Sequence, residues 1–185
     1  PLSARPNVIV FFTDQQRWDT SGLHGNPLDL TPNFDRMATR GTHVANSFTC
    51  QPVCGPARSC LQTGQYATQT GCWRNGIPLP EDTETLATHF KAAGYDTGYI
   101  GKWHLWPNQA GRHKFIENAF CPPGPYRLGF DGFWAAYNFN HGNYKAFYFR
   151  DTTERVEIDG WGPEHFTDLA INRVEHHAKT KQPFA

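Results

Sequence analysis

Two hydrophobic periods organise the chain. Val8-Ile9-Val10-Phe11-Phe12 is a continuous apolar run that ends abruptly in Thr13-Asp14-Gln15-Gln16. Such a run predicts a strand covered on both faces, as in a parallel sheet. Thr31-Pro32 followed by Asn33 to Arg40 and Gly41 predicts a short helix, with Thr31 as N-cap and Pro32 at its first position. A second helix is expected from about Thr83 to Ala93, where Leu86, Phe90 and Ala93 share a face and Gly94 closes the end. Tyr95 to Ile100 reads as another strand, delivering Gly101-Lys102-Trp103-His104 at its carboxyl end. Phe147-Tyr148-Phe149 and Val156-Glu157-Ile158 flank a turn and predict a hairpin. Pro163 opens a last helix through about Ala178, with Phe166, Leu169, Ala170 and Val174 at helical spacing. Lys181-Gln182-Pro183-Phe184-Ala185 then begins a further element.

Strands alternating with helices predict a layered α/β domain. Between 107 and 162 the periods dissolve into Gly, Pro, Asn and aromatics, which reads as an irregular aromatic-rich insertion carrying only the hairpin. Composition adds packing mass: 14 Phe, 7 Tyr and 6 Trp among 185 residues, with 17 Gly and 14 Pro for fixed loops. Basic and acidic residues balance at 17 each, so no basic field speaks for a nucleic-acid partner. No apolar stretch approaches the roughly 20 residues that span a bilayer, and no signal-peptide pattern is present. The first residues, Pro1-Leu2-Ser3, fit either a trimmed initiator Met or a cut precursor. Five cysteines leave at least one thiol outside any intramolecular pairing, and no Cys-x-x-Cys spacing marks a zinc site.

The densest chemistry lies in Cys54-Gly55-Pro56-Ala57-Arg58, followed by Ser59-Cys60-Leu61-Gln62-Thr63-Gly64. From this composition Cys-x-Pro-x-Arg alone arises about 0.02 times by chance; requiring the Thr-Gly at its distance lowers that to roughly 0.0002. Pro56 suits a first helical position, placing Cys54 just before a helix N-terminus, where free N–H groups and the dipole favour an anion. Arg58 adds a cationic fork within the first turn. Asp14 and Gln15 at one strand end, and Lys102 and His104 at another, occupy positions where α/β sheets collect ligands.

These segments resemble the sulfatase family. The Cys54 segment is similar to its first signature, in which the cysteine is converted to formylglycine. Gly94 to His104 resembles the second signature, Arg5-Pro6-Asn7-Val8 through Gln15 a metal-binding N-terminal strand, and Leu128-Gly129-Phe130-Asp131 a downstream landmark. The resemblance implies an alkaline-phosphatase-like α/β/α sandwich around a mostly parallel, mixed sheet, and hydrolysis of sulfuric esters. It implies Asp14, Gln15 and modified Cys54 as ligands of a metal ion. Their hard oxygens suit calcium, with magnesium or manganese as alternatives. Lys102 then holds a sulfate oxygen, His104 hydrogen-bonds the formylglycine hydrate, and Arg58 contributes charge. The implied partners are a small-molecule or saccharide sulfate ester and a maturation enzyme that modifies Cys54.

Gln15 stands where many members carry a second aspartate. That departure resembles phosphonate monoester and phosphodiester hydrolases of the same family, which keeps that activity open as an alternative beside a non-catalytic relative. A zinc or disulfide domain on Cys50, Cys54, Cys60 and Cys72 is a third, weaker reading. The remaining histidines, His24, His43, His89, His113, His141, His165, His176 and His177, read individually as surface or packing residues, and the aromatic stretch 133–141 as a pocket wall or as core. Free thiols and the absence of a leader favour the cytoplasm over a periplasmic or secreted location. Relatives resembling this chain are more than twice as long. The expectation is therefore an N-terminal portion of a larger catalytic domain, whose remaining metal ligands, second lysine and further histidine follow Ala185.

Overall fold

The computed structural model describes residues 5–107, 112 and 115–185. His113 and part of the stretch 107–162 lie outside the described residues. The chain divides into a smaller unit, Phe11–Thr49, and a larger one formed by Pro1–Val10 and Cys50–Ala185.

In the smaller unit, Trp18–Thr20 and Gly22–His24 form two 3-10 turns, and Pro32–Ala38 forms helix α1. Pro32 begins the helix as predicted. Thr31 occupies the cap position without a capping bond. Its hydroxyl instead donates to Asp35 at 3.2 Å and accepts from the Gly22 N–H at 3.2 Å. Asp35 also accepts from Leu23 N–H at 3.2 Å, so one carboxylate ties the second turn to α1.

In the larger unit the helices are α2 (Cys54–Thr63), α3 (Ala67–Thr70), α4 (Leu86–Ala92), α5 (Ile116–Ala119) and α6 (Gly162–Thr180). Four strands, β1 (Gly98–Lys102), β2 (Phe133–Tyr137), β3 (Phe147–Phe149) and β4 (Arg155–Glu157), form one mixed sheet in the order β1-β2-β3-β4. β1 and β2 run parallel from Gly98↔Phe133 to Lys102↔Tyr137; β2–β3 and β3–β4 are antiparallel. The predicted hairpin is present as β3 and β4. The last residues run beside the start of β1: Asp96 and Phe184 form a parallel bridge, and Gly98 N–H donates to Ala185 O at 2.9 Å.

Two expectations need correction. The run 8–12 forms no strand ladder; Val8 N–H donates to Phe184 O at 2.9 Å, but Ile9 is 67% and Phe11 85% exposed. A continuous apolar run records compatibility with burial on two faces, not the presence of layers that provide it. The stretch 107–162, in turn, is no mere insertion, because it supplies β2, in contact with both β1 and β3, with Trp134, Ala135 and Ala136 buried. Gly and Pro around this strand obscured its short period, and alternation is visible only once its two faces are known.

Those faces bury different partners. Trp134 and Ala136 join Trp103, Leu105, Phe130, Leu128 and Ala87 of α4. Ala135 joins Tyr148 and Ile158, against which Ile100, Phe133 and the α6 residues Phe166 and Leu169 pack. Helices therefore lie on both sides of the sheet, and α/β/α layering follows from strand alternation. On the first face Trp103 meets Tyr99, Phe130 and Trp134 at ring separations of 4.9, 5.8 and 5.3 Å, in edge-to-face geometry that suits aromatic quadrupoles.

The segment 128–131 locks α4 to the sheet. Leu128 O accepts from the Thr85 hydroxyl at 2.7 Å, Gly129 O accepts from the Thr97 hydroxyl at 2.6 Å, and Asp131 pairs with Lys91. Thr85 is also the N-cap of α4, accepting from Thr88 N–H at 3.2 Å. Gly129 has φ 95°, and a Cβ there would lie 2.7 Å from Thr88 N. His89 on α4 is exposed, as expected. At the far end of α6, buried His177 lies 3.3 Å from Asp96, which also pairs with Arg173, and stacks on Phe184 at 4.8 Å.

Gly129→Ala combines a left-handed backbone with a collision against backbone atoms. It is expected to lower the unfolding free energy by about 1–3 kcal/mol, measured by chemical denaturation. Burial, then the Arg173 guanidinium, push the His177 imidazole below its ordinary value. The unfolded chain then takes up the proton more readily than the folded one, so stability is full above about pH 6.5 and falls as pH drops below it. His177→Gln is expected to flatten that acid limb in melting temperature measured against pH.

Candidate active site at the end of strand β1

Cys54 is the first residue of α2, with Val53 extended at the N-cap, and Gly64 in the left-handed region closes the helix by donating to Cys60 O at 2.8 Å. The helix thus begins at the cysteine, ahead of the Pro56 expected to open it, and ends at Thr63-Gly64. Pro56 and Ser59 are fully buried, so the helix is seated on the fold by the face opposite its solvent side.

Gly55 explains how the two signatures meet. Its N–H donates to Asn75 Oδ1 at 2.8 Å, satisfying one of the orphan donors of the helix start. A Cβ at Gly55 would lie 3.1 Å from Asn75 Oδ1 and 3.4 Å from the carbonyl oxygen of His104. The backbone of His104 therefore packs directly on the residue after Cys54. Arg58 makes the second tie: its Nη1 donates to Lys102 O at 2.8 Å and approaches the Tyr99 hydroxyl at 3.4 Å, while that hydroxyl also donates to Lys102 O.

Arg58, Lys102 and His104 are 7, 5 and 2% exposed, an unusual burial for charged side chains that marks either structural pairing or function. Lys102 Nζ lies 5.3 Å from the centroid of Phe139, and the His104 ring lies 4.9 Å from the same ring. His104 has φ 55°, a left-handed conformation that costs a non-glycine residue about 1–3 kcal/mol and persists where surrounding packing enforces it. Trp103 enforces it here, fully buried and with its N–H on Tyr137 O at 2.8 Å.

Cys54, Arg58, Lys102 and His104 are thus brought together at the carboxyl end of β1. The guanidinium expected to face an anion is, in part, a strut: it joins α2 to the carbonyl of Lys102 and so positions the lysine while keeping its charge one turn from Cys54. Asp14 and Gln15 belong to the 11–49 unit, where Asp14 Oδ1 accepts from the Gln15 N–H at 2.8 Å. Among the described residues no group of three or more His, Cys, Asp or Glu side chains is arranged to hold a metal ion. All five cysteines are free thiols. Burial pushes the Cys121 thiol up to about 12 and the Cys72 thiol above its usual value, and burial with the neighbouring Cys50 raises Cys60 to about 11.

Asn75 and Tyr99 escaped the sequence reading. Asn75 sits in a loop 20 residues beyond its partner, with no local signal, while Tyr99 could have been found from its place in the second signature. Phe139 does come from the aromatic stretch 133–141, of which Trp134 is core.

The fold is a mixed sheet with helices on both faces, and it carries a cysteine at a helix start and a lysine and a histidine at one strand end. A sulfatase family model matches residues 6–184, so the chain belongs to the sulfatase family of the alkaline phosphatase superfamily. It is 37% identical over 175 residues to an uncharacterized sulfatase, YidJ, of Escherichia coli, covering 92% of this chain and 31% of the relative. An N-acetylglucosamine-6-O-sulfatase of Bacteroides thetaiotaomicron is 31% identical, covering 97% and 29%. The crystal structure of the putative sulfatase yidJ from Bacteroides fragilis superposes with TM-score 0.87 at 31% identity, covering all of this chain and 44% of that one. The chain spans under a third of the length of those two curated relatives.

Gly55→Ala should force Asn75 and the His104 carbonyl apart from α2. In the full-length protein it is expected to lower turnover more than stability, read as a large loss of kcat with a small shift in melting temperature.

Proposed function

We propose that this chain carries the nucleophile half of a sulfuric ester hydrolase acting on a sulfated saccharide, with Cys54 converted to formylglycine. The observation that carries this reading is the seating of the His104 backbone against Gly55. It gathers a buried lysine and a buried histidine at the helix start that bears Cys54. The sugar half rests on similarity to the N-acetylglucosamine-6-O-sulfatase.

As formylglycine hydrate, residue 54 would supply one hydroxyl to attack sulfur and expel the alcohol, and a second whose deprotonation breaks the C–O bond and releases sulfate. A hard cation suits the donor chemistry of Asp14 and Gln15, a carboxylate and an amide oxygen adjacent in sequence, and would supply positive charge to the sulfate oxygens. Gln15 lowers the negative charge of such a site by one relative to a pair of aspartates. The chain's own side chains do the rest. Lys102 holds a sulfate oxygen, its ammonium preorganised over Phe139 in a site largely closed to water. His104 moves protons at the hydrate hydroxyls, since an imidazole nitrogen can accept a proton and return it. Arg58 holds the end of β1 in place and adds positive field near residue 54.

Mass spectrometry of the Cys54 peptide, from full-length protein co-produced with a formylglycine-generating enzyme, is expected to show loss of the thiol mass in favour of the aldehyde. An intact thiol would overturn the mechanism. Rates on aryl sulfates are expected to exceed those on aryl phosphonate monoesters; the reverse order would assign the phosphonate activity. His104→Ala should reduce kcat/KM by about 10²–10⁴-fold and Lys102→Ala by about 10²–10³-fold.

A further inference from the structure

At the opposite end of β2 from the Cys54 site, a cleft of about 310 Å³ is lined by Phe133, Arg150, Leu169, Asn172, Arg173 and His176. It lies between α6 and the residue that follows β3, and Phe133 is four register positions from Tyr137, the partner of Lys102. None of the lining side chains is a carboxylate, and three can carry positive charge.

Their arrangement is built rather than scattered. The Arg150 guanidinium carbon lies 4.3 Å from the centroid of Phe133 and 5.5 Å from that of Tyr148. The Arg173 guanidinium lies 5.3 Å from the same Phe133 ring and directs one amino group to Asp96. Two guanidiniums therefore share one aromatic platform. Stacking uses the flat face of a guanidinium and leaves its in-plane N–H edge to donate, which is the geometry that recognises tetrahedral oxyanions and carboxylates. Asp96 already offsets the Arg173 charge, and Arg150 brings a second positive charge to a cleft whose lining supplies no carboxylate. The amide of Asn172 and the imidazole of His176 stand on the exposed rim.

We propose that this cleft is a second anion site, separate from the catalytic edge, that takes a sulfate-sized oxyanion either free or as a substituent of a sugar. Arg150 and Arg173 bind its oxygens and Asn172 donates from the rim. The site acts without formylglycine, so its fate is independent of the reaction proposed at Cys54.

The test is calorimetric titration of the full-length protein with inorganic sulfate, chloride holding the ionic strength constant. Arg150→Gln and Asn172→Asp are each expected to weaken sulfate binding at this site by ten-fold or more, while Cys54→Ala leaves it unchanged. Asn172 is exposed on α6, so its replacement tests the site without disturbing packing, and circular dichroism checks that Arg150→Gln is folded. A sulfated disaccharide and its desulfated form make the second arm. Tighter binding of the sulfated sugar than of sulfate, sensitive to Asn172→Asp, assigns the ligand as a sugar-borne sulfate; equal binding assigns the free anion. Wild-type affinity in both cleft variants, or no saturable sulfate binding outside the Cys54 site, overturns the proposal.

Discussion

The close approach of the end of β1 to the first turn of α2 is the constraint on which the site depends. Gly55 leaves room for the His104 carbonyl, and Arg58 reaches from the same helix to the Lys102 carbonyl. These two ties join segments more than 40 residues apart, so the helix start at Cys54 comes to lie at the strand end that bears Lys102 and His104. A guanidinium buried in this way is held by a charge-assisted bond to a carbonyl, which compensates part of its desolvation.

The aromatic core makes that approach rigid. Trp103, fully buried between Lys102 and His104, packs edge-on against Tyr99, Phe130 and Trp134. Because neighbouring residues on an extended segment point to opposite sides, anchoring Trp103 in the core turns Lys102 to the other side. The left-handed backbone of His104 is the visible cost of that anchorage, and its position beside the proposed nucleophile matches the tendency of strain to concentrate at functional sites. The segment 128–131 plays the corresponding part for α4, with its glycine placed where a side chain would strike the backbone of Thr88.

Much of this was legible beforehand. Helix α2 was announced by Pro56 although it begins ahead of it at Cys54, α1 began at Pro32 and α6 at Gly162 beside Pro163, and the hairpin of β3 and β4 followed from its turn. These are local events, decided within a few residues by proline's fixed φ, glycine's left-handed freedom and side-chain period. The errors were of another kind. Val8 to Phe12 was read as a covered strand although Ile9 to Phe12 are exposed among the described residues, and β2 was hidden within an aromatic stretch that looked irregular. Burial is a relation between segments, and an apolar run states one side of that relation only.

The sequence by itself determined the chemical parts: a cysteine at a helix start, a lysine and histidine at a strand end, oxygen donors at Asp14 and Gln15, and the sulfatase signatures that group them. What only the tertiary structure decided is how the parts bear on one another. Arg58 became a strut to Lys102 as well as a charge, Asn75 and Tyr99 entered the site, Phe139 became the platform beneath Lys102 and His104, and two arginines far apart in sequence came to rest on Phe133. Each of these depends on distances across the chain, and a linear pattern carries residue identity and local period but not the closure of the loops between them.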